Sequence, residues 1–338
     1  MVSDLHGRPL KDLRISVIDR CNLRCTYCMP EPTFHKDYAF LSREELLTYE
    51  EIERMGRAFA SLGVEKVRLT GGEPLLRRDL CTLISMLRHI PELKDLALTT
   101  NGLLLRKHAD ALKQAGLNRL TVSLDGLDDT LLSRISGRTV QSAQILDGIQ
   151  AAQDAGFETI KINMMVQRGV NDHEIERVID HFQHTPHEVR LIEFMDVGNT
   201  NDWNPEKVVP SNTIRENLAA KYSIQSQERA RKSDVSSSYL LMRPDTPPQK
   251  LGFISSISKP FCGECSRARL SAIGEVFTCL FANSGTSIRQ QLRAGATEDQ
   301  LARTLEQIWS VRTDQYSMTR LQSSKEPVQK VEMSYIGG

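Results

Sequence analysis

The sequence predicts an α/β fold: an incomplete (αβ)6 barrel of the TIM type, followed by a smaller C-terminal β-rich region. Up to about residue 200, six short runs rich in β-branched residues alternate with longer segments of helical periodicity. This alternation is typical of a parallel sheet. Parallel strands need right-handed crossovers, and six such units suit an open barrel better than a closed barrel of eight strands.

The predicted elements follow one another in regular order. The six strands are predicted at residues 13–18, 66–70, 95–100, 118–124, 159–166 and 188–195. The helices are predicted at residues 43–62, 80–89, 104–115, 139–155 and 172–184. After residue 199, stretches rich in proline and serine separate short strand-like pieces. We therefore expect two domains, residues 1–220 forming the partial barrel and residues 221–338 forming the C-terminal region.

Composition and charge argue against several classes of protein. The 338 residues include 43 Lys and Arg against 43 Asp and Glu, so no overall field attracts nucleic acid or a membrane surface. No apolar run approaches the roughly 20 residues of a membrane span, and residues 1–11 lack the apolar core of a signal peptide. Six of the seven cysteines fall into two tight triplets, which favours metal binding in a reducing cytoplasm over disulfides.

The first triplet, Cys21, Cys25 and Cys28, has the spacing C-x3-C-x2-C directly after the first predicted strand. Three thiolates packed this closely can hold an iron–sulfur cube by three corners and leave one iron open for another ligand. A zinc knuckle and three unrelated thiols are the alternatives. Zinc needs a fourth ligand, and His35 is the only histidine nearby in the sequence.

The second triplet is Cys262, Cys265 and Cys279, a C-x2-C pair with a third cysteine across a predicted hairpin. It again offers three ligands, so an iron–sulfur cube with an open iron competes with a zinc site that lacks an evident fourth ligand. Arg267 and Arg269 lie two residues apart on one predicted strand. They would form a forked cationic clamp for phosphate oxygens, with a solvated strand face as the alternative.

Three predicted strands carry polar side chains at every second position. A barrel strand covered by helices is apolar on both faces unless one face lines a cavity, so this pattern predicts a water-filled, cationic interior. We expect Arg68, Lys161 and Asn163 near the carboxyl ends of their strands, where barrel enzymes place their chemistry. Lys66 and Arg119 are expected to begin their strands at the exposed end.

A Gly-Gly-Glu-Pro sequence, residues 71–74, follows the second predicted strand. Paired glycines let the backbone approach a ligand closely, and the carboxylate of Glu73 can accept hydrogen bonds from an ammonium group. Gly-Gly is also a common turn, so the motif gains weight only from the cysteines that precede it. The chain has no GxxxxGK[ST] sequence, so a nucleotide would not be bound by a P-loop.

Together these motifs resemble the radical S-adenosylmethionine (SAM) superfamily and, within it, the GTP 3′,8-cyclases of molybdenum cofactor biosynthesis, the MoaA family. The resemblance runs from about residue 10 to the last residue. Besides the C-x3-C-x2-C and GGEP motifs, it rests on Glu193-Phe194-Met195-Asp196, FCxxCxRxR at 261–269, CLF at 279–281 and the terminal Tyr335-Ile336-Gly337-Gly338.

The resemblance implies two 4Fe-4S clusters, one on each cysteine triplet. SAM would bind the open iron of the first cluster and be cleaved to a radical that removes the hydrogen at C3′ of GTP. The product would be 3′,8-cyclo-7,8-dihydro-GTP, with guanine bound to the open iron of the second cluster. The implied SAM-binding residues are Tyr27, Gly72, Glu73, Ser123 and Met195, with Asp125 beside them. The implied GTP-binding residues are Arg14, Arg68, Thr99, Lys161, Arg267 and Arg269, the last two facing the triphosphate.

The last two residues, Gly337 and Gly338, allow three interpretations. A frayed end and a ubiquitin-type carrier tail are the alternatives. The resemblance implies instead that the tail reaches into the active site and takes part in catalysis there.

The resemblance also implies partners. They are GTP as substrate, an unidentified electron donor and, as the next enzyme, cyclic pyranopterin monophosphate synthase; a homodimer stays open. Another radical SAM enzyme with an auxiliary cluster, such as a peptide-modifying maturase, is the nearest rival, although those enzymes usually carry more C-terminal cysteines. A non-catalytic, zinc-stapled binding module is the rival from another class.

Overall fold

The computed structural model describes residues 2–229, 233–320 and 329–337, and its strands form one twelve-stranded sheet. The strands are β1 Asp12–Ser16, β2 Lys66–Thr70, β3 Asp95–Thr100, β4 Arg119–Ser123, β5 Lys161–Val166, β6 Glu188–Glu193, β7 Ser223–Ser226, β8 Ser237–Met242, β9 Gln249–Ile254, β10 Arg267–Leu270, β11 Glu275–Phe277 and β12 Thr286–Ser287. The helices are α1 Tyr49–Ser61, α2 Leu80–Arg88, α3 Leu105–Gln114, α4 Asp129–Ser136, α5 Ser142–Asp154, α6 Ile175–His181, α7 Ser211–Ala219, α8 Arg289–Arg293, α9 Glu298–Ser310, α10 Tyr316–Thr319 and α11 Met333–Ile336.

The first six strands pair in chain order and in parallel, which confirms the predicted α/β barrel architecture. Their ends differ from the predicted ends by at most two residues. The outward-facing side chains of β2, β4 and β5, such as Val67, Leu120 and Ile162, are fully buried. The apolar half of the period-two pattern therefore packs under the helices, as expected for a strand covered on one side.

The C-terminal region adds strands to both sides of this sheet. β10 pairs in parallel with β1, and β9 pairs in parallel with β6. Antiparallel hairpins extend each side further, so that in the described residues the sheet ends at β12 on one side and β7 on the other. The barrel is therefore not closed by hydrogen bonds. The division at residue 220 stays a prediction.

Local capping explains where several helices begin and end. Helix α1 starts at Tyr49, six residues later than predicted, because Thr48 and Glu51 form a capping box. Helix α4 was not predicted; Asp128 caps it and Gly137, at a φ of 61°, ends it. No helix among the described residues combines the length and apolar character needed to span a bilayer.

Candidate active site

One cavity inside the open barrel is lined by all six cysteines of the two triplets. The other predicted site residues that line it are Arg14, Tyr27, Arg68, Gly72, Glu73, Thr99, Ser123, Met195, Arg267 and Arg269. Lys161 and Gly337 are not among the lining residues, and Gly338 lies outside the described residues. The fold thus brings motifs that lie more than 200 residues apart in the sequence to one site.

The first triplet lies on the loop that follows β1. The backbone N–H of Leu23 donates to Cys21 Sγ at 3.4 Å, and the side-chain amide of Asn101 lies 4.0 Å from the same sulfur. Arg24 fixes the loop because its guanidinium donates to the carbonyl oxygens of Cys21 at 2.9 Å and Phe34 at 2.6 Å. Distant segments support it as well, because the N–H groups of Arg24 and Thr26 donate to the carbonyl oxygens of Ser136 at 2.7 Å and Ile135 at 2.9 Å.

Burial controls the protonation of these three thiols. It raises the pKa of Cys21 to about 11 and also raises the pKa of Cys25 and of Cys28, which in addition repel one another as thiolates. Without a metal centre the thiols are therefore neutral at pH 7. Metal binding must displace their protons, as is general for thiolate sites.

The Gly-Gly-Glu turn packs against the first cysteine loop. A Cβ on Gly71 would clash with the carbonyl oxygen of Ile18, and one on Gly72 would clash with that of Arg20. The N–H groups of Gly72 and Glu73 donate to these same two oxygens, each at 2.8 Å. The glycines are thus required for close approach to the protein's own backbone, which differs from the expected approach to a ligand.

Glu73 is buried and held in one orientation at the cavity wall. Its carboxylate accepts hydrogen bonds from Leu75 N at 3.0 Å, Thr100 Oγ1 at 2.9 Å and Asn101 N at 2.8 Å. Burial nevertheless raises the pKa of Glu73 to about 7. A cation placed beside it would favour the ionised form, so the site suits an ammonium ligand.

A second buried carboxylate lies near the first triplet. The Tyr27 hydroxyl donates to Asp125 Oδ2 at 2.6 Å, and the backbone N–H of Met165 donates to Asp125 Oδ1 at 2.9 Å. Burial raises the pKa of Asp125 to about 6. Ser123, the last residue of β4, and Met195, just beyond β6, line the cavity beside this pair.

Three arginines form a row across neighbouring strands. The strand register places Arg14 on β1 directly between Arg269 on β10 and Arg68 on β2. Arg68 donates to the hydroxyls of Thr99 and Thr121 at 2.9 Å each. We call Arg14, Arg68 and Arg269 the arginine row; Arg267 lies beside it on β10.

The arginine row and Arg267 lack carboxylate partners. Within the part of the chain that the structure describes, none of the four is in an ion pair, and Arg267 Nε is buried without a hydrogen-bond partner. Burial, followed by repulsion from Arg269, Arg267 and Arg68, lowers the pKa of Arg14. Arginine keeps its proton in proteins, so these side chains stay charged and repel one another. A bound polyanion would relieve this repulsion.

Lys161 lies elsewhere than expected. It is the first residue of β5, so it begins its strand and does not lie near the carboxyl end, where Asn163 and Met165 line the cavity. Burial, followed by repulsion from Arg190, lowers the pKa of Lys161 to about 7. Arg190, on β6, lines the cavity and was not predicted; its guanidinium pairs with Glu188 at 2.8 Å.

Lys66 and Arg119 begin β2 and β4, as predicted. Lys66 Nζ lies 3.8 Å from Asp12 Oδ1, and Arg119 pairs with Asp95. Neither residue lines the cavity among the described residues. Both residues therefore form ordinary ion pairs at the starts of their strands.

The second triplet surrounds a hairpin, as predicted. Cys262 and Cys265 precede β10, and Cys279 follows β11, with the N–H of Phe281 donating to Cys279 Sγ at 3.4 Å. Burial alone would raise the pKa of Cys265, but Arg267 and Arg312 together lower it to about 6. Burial raises the pKa of Cys279 to about 11. The spacing of the cysteines gives no indication of Arg312, because this residue lies in the segment after α9.

The donor chemistry of both triplets fits an iron–sulfur cube. No three His, Cys, Asp or Glu side chains of residues 2–229, 233–320 and 329–337 converge closely enough to share one metal ion. A cube binds each thiolate on a separate iron, so it does not need such convergence. Each triplet also has a backbone N–H directed at a sulfur, a hydrogen bond typical of these clusters.

The C-terminal tail enters the barrel beside the arginine row. Helix α11 packs against β1, Ile336 is fully buried, and the Tyr335 hydroxyl donates to Glu275 Oε2 at 2.8 Å. The carbonyl oxygen of Gly337 accepts a hydrogen bond from Arg269 Nη1. Gly337 has a φ of 77°, and a Cβ there would clash with Thr70, so this position requires glycine.

Comparison with known proteins agrees with this geometry. Residues 15–182 match the family model of the radical SAM superfamily, and residues 187–318 match the model described as Molybdenum Cofactor Synthesis C. The crystal structure of Streptococcus suis SuiB bound to S-adenosylmethionine superposes with a TM-score of 0.60 at 14% identity, over 88% of this chain and 68% of that chain. At that identity the likeness concerns the fold alone.

Full-length relatives are closer. The chain is 48% identical over 337 residues to the GTP 3′,8-cyclase of Xanthomonas axonopodis pv. citri, covering 100% of this chain and 99% of the relative. It is 45% identical over 341 residues to the GTP 3′,8-cyclase of Staphylococcus epidermidis, with the same two coverages. The chain therefore belongs to the GTP 3′,8-cyclase family of the radical SAM superfamily.

Proposed function

We propose that this chain converts GTP to 3′,8-cyclo-7,8-dihydro-GTP, the first step of molybdenum cofactor biosynthesis, using SAM and two 4Fe-4S clusters. One observation carries the proposal. An arginine row without carboxylate partners lies in the same cavity as two thiol triplets, each of which offers three ligands. A zinc-stapled binding module would have no need to keep buried cations unpaired beside its metal sites.

The first half of the cavity is suited to SAM. Cys21, Cys25 and Cys28 would hold a cluster with one open iron, and Glu73 lies at the same wall with its carboxylate fixed by three hydrogen bonds. When bound, the clusters and SAM supply one-electron chemistry that breaks the C3′–H bond of GTP. The residues of this half orient SAM: Glu73 would accept from its ammonium group, and Gly72, Ser123, Met195 and Tyr27 would surround it.

The second half is suited to GTP. Cys262, Cys265 and Cys279 would hold the cluster that receives the guanine, while Arg14, Arg68, Arg267 and Arg269 would hold the phosphates. Thr99, already bound to Arg68 at 2.9 Å, would contact the nucleotide from β3. Lys161 would contribute positive charge from the start of β5. Hydrogen transfer needs the reacting carbons near contact distance, so fixed positioning is the main contribution of these residues.

The tail has a place in this scheme. Gly337 already contacts Arg269, so the Gly337-Gly338 end would adjust a phosphate-binding arginine and the reacting nucleotide together. The further partners follow from the reaction. Cyclic pyranopterin monophosphate synthase would use the product in the next step, an unidentified electron donor in the cytoplasm would supply the electrons, and a homodimer is one alternative for the assembly.

Anaerobic reconstitution followed by incubation with GTP, SAM and a reductant tests the proposal. We expect about eight irons per chain, reductive cleavage of SAM and a cyclised nucleotide in the mass spectrum. SAM cleavage with GTP left intact would instead favour another radical SAM enzyme with an auxiliary cluster. Two zinc ions per chain would favour the binding module.

A further inference from the structure

Two buried arginines contact the loop of the second triplet. Arg8 is 2% exposed and Arg312 is 5% exposed. Arg8 Nη1 donates to the carbonyl oxygens of Cys262 at 2.8 Å and Asp314 at 2.7 Å. Arg312 Nη1 donates to the carbonyl oxygen of Cys265 at 2.7 Å. The backbone carbonyl oxygen of each cysteine in the C-x2-C pair therefore accepts a hydrogen bond from an arginine.

Two aspartates neutralise and orient these arginines. Asp4 Oδ2 accepts from Arg8 Nε at 2.6 Å and lies 3.5 Å from Arg312 Nη1. Asp314 Oδ2 lies 3.2 Å from Arg312 Nε and also accepts from the Thr278 hydroxyl at 2.5 Å. The side chain of Asp4 is fully buried. The four charges lie on two segments, residues 4–8 and 312–314, and form one network that joins both segments to the cysteine turn.

Trp309 completes this network. Its ring lies 4.5 Å from the Arg312 guanidinium, a cation–π contact, and its Nε1 donates to the carbonyl oxygen of Arg8 at 3.1 Å. The tryptophan is 1% exposed. It therefore connects the end of α9 to the N-terminal segment and holds both arginines against the cysteine loop.

A buried network of charges is not, as a rule, the most stable filling for a protein interior. Replacing a buried ion network by apolar residues of similar volume is frequently neutral or stabilising. The short turn of Cys262–Glu264 has little support of its own: Cys265 N donates to Cys262 O at 3.2 Å, within the turn. The two arginines thus donate to the backbone of the turn itself, whose conformation sets the directions of the cysteine side chains.

We propose that Arg8 and Arg312 are positioning residues for the second iron–sulfur centre. They fix the C-x2-C turn in its cluster-binding geometry and place their guanidinium groups, rather than the two aspartates, against its backbone. The segment 4–8 is therefore part of the second site, although it precedes both regions matched by family models, residues 15–182 and 187–318. This inference rests on the proposed function, because it requires a cluster on the second triplet.

Single Arg8→Gln and Arg312→Gln variants of the full chain, reconstituted anaerobically, test the inference. We expect iron to fall from about eight to about four per chain, with SAM cleavage at the first site retained. Where the second centre still forms, its midpoint potential should fall, because a nearby positive charge favours the reduced cluster. Electron paramagnetic resonance of the reduced protein separates the two centres.

Lysine variants and a matched control distinguish positioning from folding. Arg54 is a partly buried arginine remote from the cavity that donates to the carbonyl oxygens of Leu292 at 3.1 Å and of Ala296. Arg54→Gln should keep both centres. Arg8→Lys and Arg312→Lys should restore part of the iron, because lysine keeps the charge but loses the forked geometry. If the Gln variants do not fold, the spectroscopic signal and the midpoint potential of the second centre in the Lys variants test the positioning role instead.

Two outcomes would overturn the inference. One is full iron with an unchanged second-centre signal and potential in the Arg8 and Arg312 variants. The other is a loss of both centres in proportion to a fall in Tm, matched by Arg54→Gln. Metal content and spectra do not depend on GTP turnover. A wild-type chain with eight irons that fails to cyclise GTP would therefore contradict the proposed function and leave this inference standing.

Discussion

The two cysteine triplets line one cavity, yet the chain assembles them differently. The three cysteines of the first lie within eight residues on a single loop, although the contacts that support this loop come partly from distant residues such as Ile135 and Ser136. The second depends on the N-terminal segment, the β10–β11 hairpin and the residues after α9. A site made from one loop can be identified from local spacing, whereas the supports of a site made from three segments depend on the fold.

The electrostatic surroundings of the two triplets also differ. Glu73 and Asp125, buried carboxylates, lie near the first, while Arg267, Arg269 and Arg312 lie near the second. A ligand with ammonium and sulfonium charges is therefore favoured at one end and a triphosphate at the other. In the proposed function, this difference would orient the two small molecules in opposite halves of the cavity, in a protein whose overall formal charge is zero.

The largest expected effect comes from removing one thiol in each half. Cys21→Ser should abolish SAM cleavage and product formation together, because the first cluster loses one of its three ligands. Cys262→Ser should retain SAM cleavage but yield no cyclised nucleotide. Chromatography of the cleaved SAM and mass analysis of the nucleotide measure the two reactions. If Cys262→Ser converted GTP at the wild-type rate, the division of labour between the halves would be wrong.

The second largest effect is expected in the half of the cavity that contains Arg267, Arg269 and the second triplet, which we call the basic half. Arg267→Ala combined with Arg269→Ala should weaken GTP binding roughly 100- to 10,000-fold, because each charge-assisted hydrogen bond contributes about 1.5–3 kcal/mol. SAM affinity should stay unchanged. Equilibrium binding of GTP and SAM to the same reconstituted variant measures both. Arg106→Ala, an exposed arginine on α3 paired with Asp147, is the control. Equal GTP affinity in the double variant and the control would remove the phosphate clamp from the proposal.

A smaller effect on ligand binding is expected in the half of the cavity that contains Glu73, Asp125 and the first triplet, which we call the acidic half. Glu73→Gln removes a charge-assisted partner of the SAM ammonium group and should weaken SAM binding roughly 10- to 100-fold. Burial raises the pKa of Glu73 from 4.5 to about 7. Between these values the folded chain binds more protons, so its stability falls as pH rises. The variant removes this pH-dependent loss, so Tm at pH 8 should be equal or higher.

Calorimetric unfolding and SAM titration of the same samples check that prediction. A merely structural Glu73 would show the opposite result, a lower Tm with SAM affinity unchanged. Thr100→Val, which removes one hydrogen bond to the carboxylate at 2.9 Å, is the matched control. It should change SAM affinity less than Glu73→Gln does, because the charge remains.

Much of the fold was predictable because its signals are local. The six barrel strands are short runs bounded by turn residues, so their periodicity and position agree with the structure. The parallel pairing of β9 and β10 with the barrel edges was not predictable, since no local signal specifies partners that lie far away in the sequence.

The site shows the same division. The cysteines, Glu73 and Arg269 belong to recognisable motifs, and the structure places them in the cavity. Arg190 and Arg312 belong to no motif, so they were missed. Lys161 was expected near the carboxyl end of its strand, where barrel enzymes place their chemistry, but the strand begins at Lys161, so its side chain lies at the start.

Lys161 gives the smallest effect and tests how far the basic half extends. Burial lowers its pKa from 10.5 to about 7. Between these values the unfolded chain binds more protons, so the stability of the ligand-free protein rises with pH. A nearby triphosphate would raise this pKa again, so GTP binding at pH 8 should take up about half a proton, and GTP affinity should fall by about tenfold between pH 7 and pH 9. Calorimetry in two buffers of different ionisation enthalpy counts the proton, and Lys161→Met should lack it. Equal proton uptake in both proteins would limit the phosphate-binding surface to the arginines nearer the second triplet.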